Sequence, residues 1–217
     1  MAKIIQIPHD SPGKFSCEEV REVLRCGGVV GFPTDTFYGL GADPWNRAAL
    51  QSIFSIKKRP SNKPILLLIS SVKQLDGLVH NVNESTKALI DTLWPGPLTL
   101  VFEARKELPF PLTSGSGKIG IRLPANSFTI QLIKCLGHPL TAPSANLSEA
   151  ASPLTAREVE KSLGRQLPLI IDGGPCPGGK PSTILDVSLT SPKLLRDGAI
   201  TRLEIEKVLK RKILPVQ

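Results

Sequence analysis

Short apolar runs bounded by glycine or proline alternate, along nearly all of the 217 residues, with stretches whose apolar side chains recur at helical spacing. Few architectures accept this pattern, because each short strand must bury its faces against helices or another sheet. Extended segments are expected at residues 29–32, 65–69, 98–102, 119–123, 139–141, 169–171, 182–187 and 194–195. Ser16 and Glu19 have the spacing of a capping box, Val20, Val23 and Leu24 share one face, and Gly27-Gly28 ends that first helix. Further helices are expected at residues 46–58, 84–93, 128–136 and 157–163, and Thr201 with Glu204 caps a last, basic one reaching about residue 212. The strands at 98–102 and 119–123 have no helix between them, which disfavours a regular doubly wound unit. One α/β domain with a twisted mixed parallel and antiparallel sheet flanked by helices is the expectation. Neither a repeat nor a long linker divides the chain.

Hydrophobic residues at 41% and charged ones at 21% suit a globular protein, and the net charge of +8 favours anionic partners such as nucleotides, phosphometabolites or RNA. Part of that excess, Lys207, Lys210, Arg211 and Lys212, reads as a solvated helix end. The four cysteines, Cys17, Cys26, Cys135 and Cys176, form no CxxC pair, and His9, His80 and His138 are equally scattered, so no metal site is expected. Without a leader-like start or a membrane-length apolar run, a cytoplasmic protein with free thiols and no membrane partner is expected.

Residues 57–64, KKRPSNKP, gather Lys57, Lys58, Arg59 and Lys63 around two prolines, between an amphipathic stretch and an apolar strand. Cations at a helix end that proline stops form an ordinary solvated turn. The same cations at the rim of a sheet suit a polyphosphate, Arg giving a planar fork and Lys a mobile point charge. Thr34, Asp35 and Thr36 follow a strand, as ligand-binding residues of open α/β sheets do, and Asp35 alone fits an Asx turn equally well. Ser144 and Asn146, two apart after another strand, project to one side if the segment stays extended; a plain turn accounts for them as well. Arg122 sits inside an apolar strand, where a guanidinium needs an anion. Residues 174–180 imitate a phosphate-binding GxxxxGK, but Pro181 replaces the hydroxyl and a strand follows, so they read as an inter-strand loop. No GxSxG surrounds Ser144, which leaves a triad with His138 unsupported.

The ordered blocks PTDTFYGLG, KKRPSNKP, LWPGPLTLVF, GIRLP, TAPSANLS, IDGG, STILDVS and LLRDGAI resemble the YrdC/TsaC-type threonylcarbamoyl-AMP synthase family over about residues 15–200. The resemblance implies a YrdC-like fold with a large positively charged concave surface, in the short single-domain form spanning 1–217. It implies formation of threonylcarbamoyl-AMP and pyrophosphate from L-threonine, bicarbonate and ATP, toward threonylcarbamoyl adenosine at position 37 of ANN-decoding tRNAs.

By motif, Lys57 and Arg59 take catalytic roles, and Arg59, Lys63, Ser144, Asn146, Ser152 and Arg196 the ATP side. The resemblance implies that Thr34, Thr36, Arg122, the Ala142 backbone and Ser182 hold threonine. Magnesium accompanies ATP without a dedicated protein site. Many relatives carry a histidine where this chain has Leu68. Possible further partners are tRNA or double-stranded RNA and a downstream threonylcarbamoyl-transfer complex. From another class, a double-stranded RNA-binding module uses the same basic face, but such shape recognition needs no small pocket of hydroxyls.

Overall fold

The computed structural model describes residues 1–7 and 15–216; His9 lies outside them. The elements run β1 (Lys3–Gln6), α1 (Glu18–Arg25), β2 (Val30–Phe32), β3 (Gly39–Gly41), α2 (Arg47–Lys57), β4 (Leu67–Leu68) and α3 (Glu84–Leu93). They continue β5 (Leu98–Glu103), α4 (Phe110–Thr113), β6 (Lys118–Arg122), α5 (Ser127–Leu136), β7 (Leu140–Thr141), α6 (Ala156–Leu163), β8 (Leu169–Asp172), β9 (Thr183–Asp186), β10 (Lys193–Arg196) and α7 (Arg202–Leu209).

The mixed α/β class is as expected, but the strands divide between two sheets. One has the order β1-β8-β2-β3, the other β10-β9-β5-β6-β4-β7. The first sheet has two parallel pairs (β1 with β8, β2 with β8) and an antiparallel edge, and in the second the parallel pairs (β5 with β9, β4 with β6) alternate with antiparallel ones. The sheets meet where β3 runs beside β7. Leu40 N–H donates to Pro143 O and Ala145 N–H to Tyr38 O, both at 2.8 Å. Prolines at 139 and 143 remove two backbone donors from that seam. The Thr141 hydroxyl makes up part of the loss, accepting from Ala42 N–H at 2.8 Å and donating to Leu40 O at 2.9 Å. The main core fills the space around the larger sheet with Leu50, Ile53, Leu67, Leu100 and Ile121. A second cluster packs Val20 and Leu24 of α1 with Phe128, Leu132 and Ile133 of α5 against Phe32 and Ile171.

Local chemistry accounts for the helix starts. The Asn46, Asn83 and Asn126 side chains accept N3 amides at the heads of α2, α3 and α5, and Thr155 and Thr201 form capping boxes with Glu158 and Glu204. The box expected at Ser16 and Glu19 does not form: the helix starts after Cys17, and Glu19 is drawn into an ion pair with Lys3 at 2.8 Å. Between β5 and β6 lies the one-turn helix α4, and a 3-10 turn spans Val72–Gly77. The expected strand at 65–69 narrows to two residues, because Ile65 N–H donates instead to Leu112 O. The expectation of four free thiols is also corrected. Cys17 and Cys135 form a disulfide, since the fold sets the head of α1 beside the end of α5 across 118 residues of sequence; Cys26 and Cys176 are free. No helix among the described residues is long and apolar enough to cross a membrane.

Candidate active site

Two cavities adjoin where the basic turn, the PTDT loop and the TAPSAN loop converge. The inner pocket, about 80 Å³, is lined by Thr34, Thr36, Arg122, Ala142, Ser144, Ser152, Ser182 and Arg196, with Tyr38 and Leu66. The outer groove, about 430 Å³, shares Ser144, Arg196 and Leu66 with it and adds Arg59, Lys63, Lys118, Thr99, Asp186 and Leu195. Its volume lies within the range of small-molecule sites. A surface hollow of about 660 Å³ beside α6 contains none of the expected residues.

All five residues expected on the threonine side therefore share one pocket. Arg122 ends β6, is 4% exposed, and meets the required anion in Asp35, whose Oδ1 lies 3.3 Å from Nη2. Its Nη1 donates to Thr36 Oγ1 at 3.3 Å and its Nη2 to Thr34 Oγ1 at 3.4 Å. The Ala142 amide is taken by Leu66 O at 3.1 Å. Across the pocket the Arg196 fork grips Ser182, Nη2 reaching its carbonyl at 2.8 Å and its hydroxyl at 3.1 Å. Ser182 Oγ in turn shares a hydrogen bond with buried Thr99 at 2.9 Å. Gly198 permits this grip, because a Cβ there would collide with the Pro181 carbonyl and the Thr183 amide.

The basic turn does not act as one unit. Lys58 closes α2 in the left-handed region at φ 48°, which sends Arg59 and Lys63 toward the groove. Arg59 Nη2 donates to Pro64 O at 2.9 Å and its Nε to Lys63 O at 3.3 Å. Lys57, expected at the phosphates, is instead turned inward and is 2% exposed. Its ammonium donates to Ser144 O, Asn146 O at 2.7 Å and Asn146 Oδ1 at 3.1 Å. Leu50, Ile53, Phe54 and Lys57 recur at helical spacing, so the stripe that buries the apolar residues buries the lysine too. Burial, and secondarily the Arg59 charge, pull the Lys57 pKa from 10.5 down to about 8.

Asn146, expected to face the nucleotide, is likewise held inside, and lines neither cavity. Its Oδ1 also accepts the Ser144 hydroxyl at 2.6 Å, and its amide nitrogen donates to Ala150 O. The segment bends at residues 145–146 instead of staying extended, and the bend turns the Ser144 and Asn146 side chains toward each other. Leu68 is fully buried in β4, paired with Arg122 and Leu140, and contributes nothing to either cavity.

Arg59, Arg122 and Arg196 define the electrostatics. Burial lowers the pKa of each, and Arg196, which lines both cavities, is lowered further by Arg122 of the inner pocket and Arg59 of the groove. Asp35 is the acid paired with Arg122, while Arg59 and Arg196 bond neutral oxygens. Such a cluster is built for an incoming anion. Lys118 and Asp186, which pair at 2.8 Å on the groove wall, and Thr99 join the site without having been expected there; each is a polar residue in a strand, the signal that singles out Arg122. No group of three metal-ligating acids, cysteines or histidines exists among the described residues.

A family model named Sua5_yciO_yrdC and described as "Telomere recombination" matches residues 22–198. The threonylcarbamoyl-AMP synthase of Pyrococcus abyssi is 39% identical over 186 residues, covering 86% of this chain and 55% of that protein. That of Bacillus subtilis is 40% identical over 188 residues, covering 86% and 54%. The chain thus spans about half the length of these relatives. Among solved structures, P. abyssi Sua5 complexed with L-threonine superposes with a TM-score of 0.91 at 35% identity, over 99% of this chain and 62% of that one. E. coli YciO gives 0.83 at 26% identity, over 94% and 100%. On the family model and these identities, the chain belongs to the Sua5/YciO/YrdC family.

Proposed function

We propose that this chain is a nucleotidyltransferase that condenses L-threonine, bicarbonate and ATP into threonylcarbamoyl-AMP, releasing pyrophosphate. One observation carries the reading: a small pocket of hydroxyls and arginine opens, across Ser144 and Arg196, into a nucleotide-sized groove edged with cations. The names of the P. abyssi and B. subtilis relatives support it, as does the L-threonine held by P. abyssi Sua5.

Threonine's carboxylate docks on Arg122 and its hydroxyl among Thr34, Thr36 and Ser182. Its amine attacks CO2 derived from bicarbonate, forming the N–C bond of a carbamate and losing a proton to solvent. A carbamate oxygen then attacks the α-phosphorus of ATP in line, the bond to the β-phosphate oxygen breaks, and pyrophosphate leaves. No covalent protein intermediate is needed. The work is positioning and neutralisation of charge, supplied by Arg59, Lys63 and Arg196. Lys57 and Asn146 act from beneath, fixing the Ser144 loop. Ser152 lies at the inner pocket, where it would contact the ligand's junction with the nucleotide.

Magnesium enters with the triphosphate; Asp186, the one acid on the groove wall among the described residues, is already bonded to Lys118 and Ser188 and makes a poor protein ligand for it. The product passes, in the cytoplasm, to a threonylcarbamoyl-transfer complex acting on tRNA. Leu68 leaves amine recognition to the pocket's hydroxyls and carbonyls.

The test is incubation with ATP, bicarbonate and labelled threonine, followed by detection of the adenylate and of pyrophosphate. Both should form only with all three substrates. A parallel titration with tRNA at low and physiological salt covers the RNA-binding module. Tight, salt-resistant RNA binding with no ATP binding would overturn the enzymatic reading.

A further inference from the structure

Arg122 is the residue on which the amino-acid side of the site depends, yet little holds its guanidinium in place. Its two contacts to Thr34 and Thr36 are long, at 3.4 and 3.3 Å, and its Nε has no hydrogen-bond partner. The charged contact is Asp35, 3.3 Å away. Asp35 lines neither cavity, whereas Arg122 lines the inner one. The loop therefore splits its labour by residue parity: Thr34 and Thr36 face the ligand, and Asp35 stands behind the arginine.

The carboxylate is itself braced from a second element. Asp35 Oδ2 accepts the Ala125 amide at 3.2 Å, just before α5, and Thr129 of α5 donates its hydroxyl to Pro33 O at 2.8 Å. Its position is thus set by the backbone and not by the arginine. With an 11% exposed side chain it is shielded from competing water and salt. Arg122 also shares its neighbourhood with Arg196, which would repel an unanchored guanidinium.

From this geometry we infer that Asp35 is a positioning residue that fixes the Arg122 guanidinium for the carboxylate of the amino-acid substrate, an inference that rests on the adenylate chemistry proposed above. Asp35 touches no reacting atom; it acts through Arg122. Removing its charge leaves a buried cation without a counter-ion, free to shift away from the pose the substrate needs.

The experiment compares Asp35→Asn, which keeps an oxygen for the Ala125 amide, with the wild type. Threonine and ATP are each titrated while pyrophosphate release is followed. The KM for threonine should rise about tenfold, the loss of one close buried charge pair, with the KM for ATP within about twofold. An unchanged threonine KM overturns the inference, and so does a lowered one, which would make Asp35 a competitor of the substrate.

A double-mutant cycle in thermal melts, with Asp35→Asn, Arg122→Met and both together, guards against a variant that is simply unstable. The double variant should lose less stability than the two single losses added, because it removes the orphaned charge. Coupling in a protein that makes no adenylate sinks the proposed chemistry while leaving Asp35 as the anchor of Arg122. Additive losses in a protein that turns over sink the anchor alone.

Discussion

Replacing Lys57 by Met should destabilise the protein modestly and damage catalysis severely. Three oxygens, Ser144 O, Asn146 O and Asn146 Oδ1, lose their donor at once. Asn146 Oδ1 keeps the Ser144 hydroxyl, so two buried acceptors are left unpaired; at roughly 1–3 kcal/mol each, the gross cost is about 2–6 kcal/mol. Against this, the variant no longer buries a cation. The fall of the pKa from 10.5 to about 8 corresponds to about 3 kcal/mol at roughly 1.4 kcal/mol per pH unit. The net loss is about 1 kcal/mol, or roughly 2–4 °C in Tm for a chain of this size.

The pH dependence gives a sharper signature. Between about pH 8 and 10.5 the unfolded chain retains a proton that folded Lys57 has released, so wild-type stability from this group rises with pH across that window. The Met variant lacks the rise, and the stability gap should widen by about 3 kcal/mol over it. Thermal melts from pH 7 to 10.5 measure both quantities, and pyrophosphate release measures turnover. Equal Tm values at pH 7 with a gap flat in pH would refute the clamp, as would full activity in the variant.

Arg59→Ala should abolish adenylate formation while moving Tm little, because among the described residues the guanidinium bonds only carbonyls of its own turn, at Lys63 and Pro64; near-normal turnover would remove Arg59 from the phosphate side. Arg122→Lys should raise the KM for threonine well above any change for ATP, since an ammonium cannot reproduce the planar fork; a loss confined to ATP kinetics would move Arg122 to the nucleotide. Glu206 is held at a pKa of about 2 by Lys212, Arg202 and the Ile213 amide. Its stabilisation is present above pH 4.5 and lost as pH falls through 2, so melts of Glu206→Gln should trail the wild type at pH 7 and converge with it near pH 2.

Where chemistry is local, the chain declares its structure. The bounds of α3 follow from Asn83 capping at one end and Trp94-Pro95 breaking at the other. The start of the last helix follows from its capping box, but it ends at Leu209 and not near residue 212, because Lys210 turns into the left-handed region at φ 52°. Strand β1 escapes because only Ile4 and Ile5 mark it, and it exists by virtue of β8, 166 positions later (Lys3 with Leu169). The Cys17–Cys135 bond is hidden for the same reason: spacing says nothing about which helix ends meet. In the site, the need of Arg122 for an anion is visible from its apolar strand, and the structure supplies Asp35. Lys57 misleads because charge is read before direction. The periodicity of Leu50, Ile53 and Phe54 already assigns it to the buried face, a reading that outranks the run of cations around it.

The pairing of β1 with β8 also sets a timetable for synthesis. The first strand has no partner until residue 172 has been made, and the inner pocket is incomplete until Ser182 and Arg196 follow. A chain growing from its N-terminus on the ribosome therefore carries unpaired strand edges through most of its translation. Contacts this remote in sequence slow folding, because the loop between them must close before the pairing stabilises anything. The nascent chain is exposed to aggregation in that interval, and chaperone demand should fall sharply once the segment around β8 has left the exit tunnel.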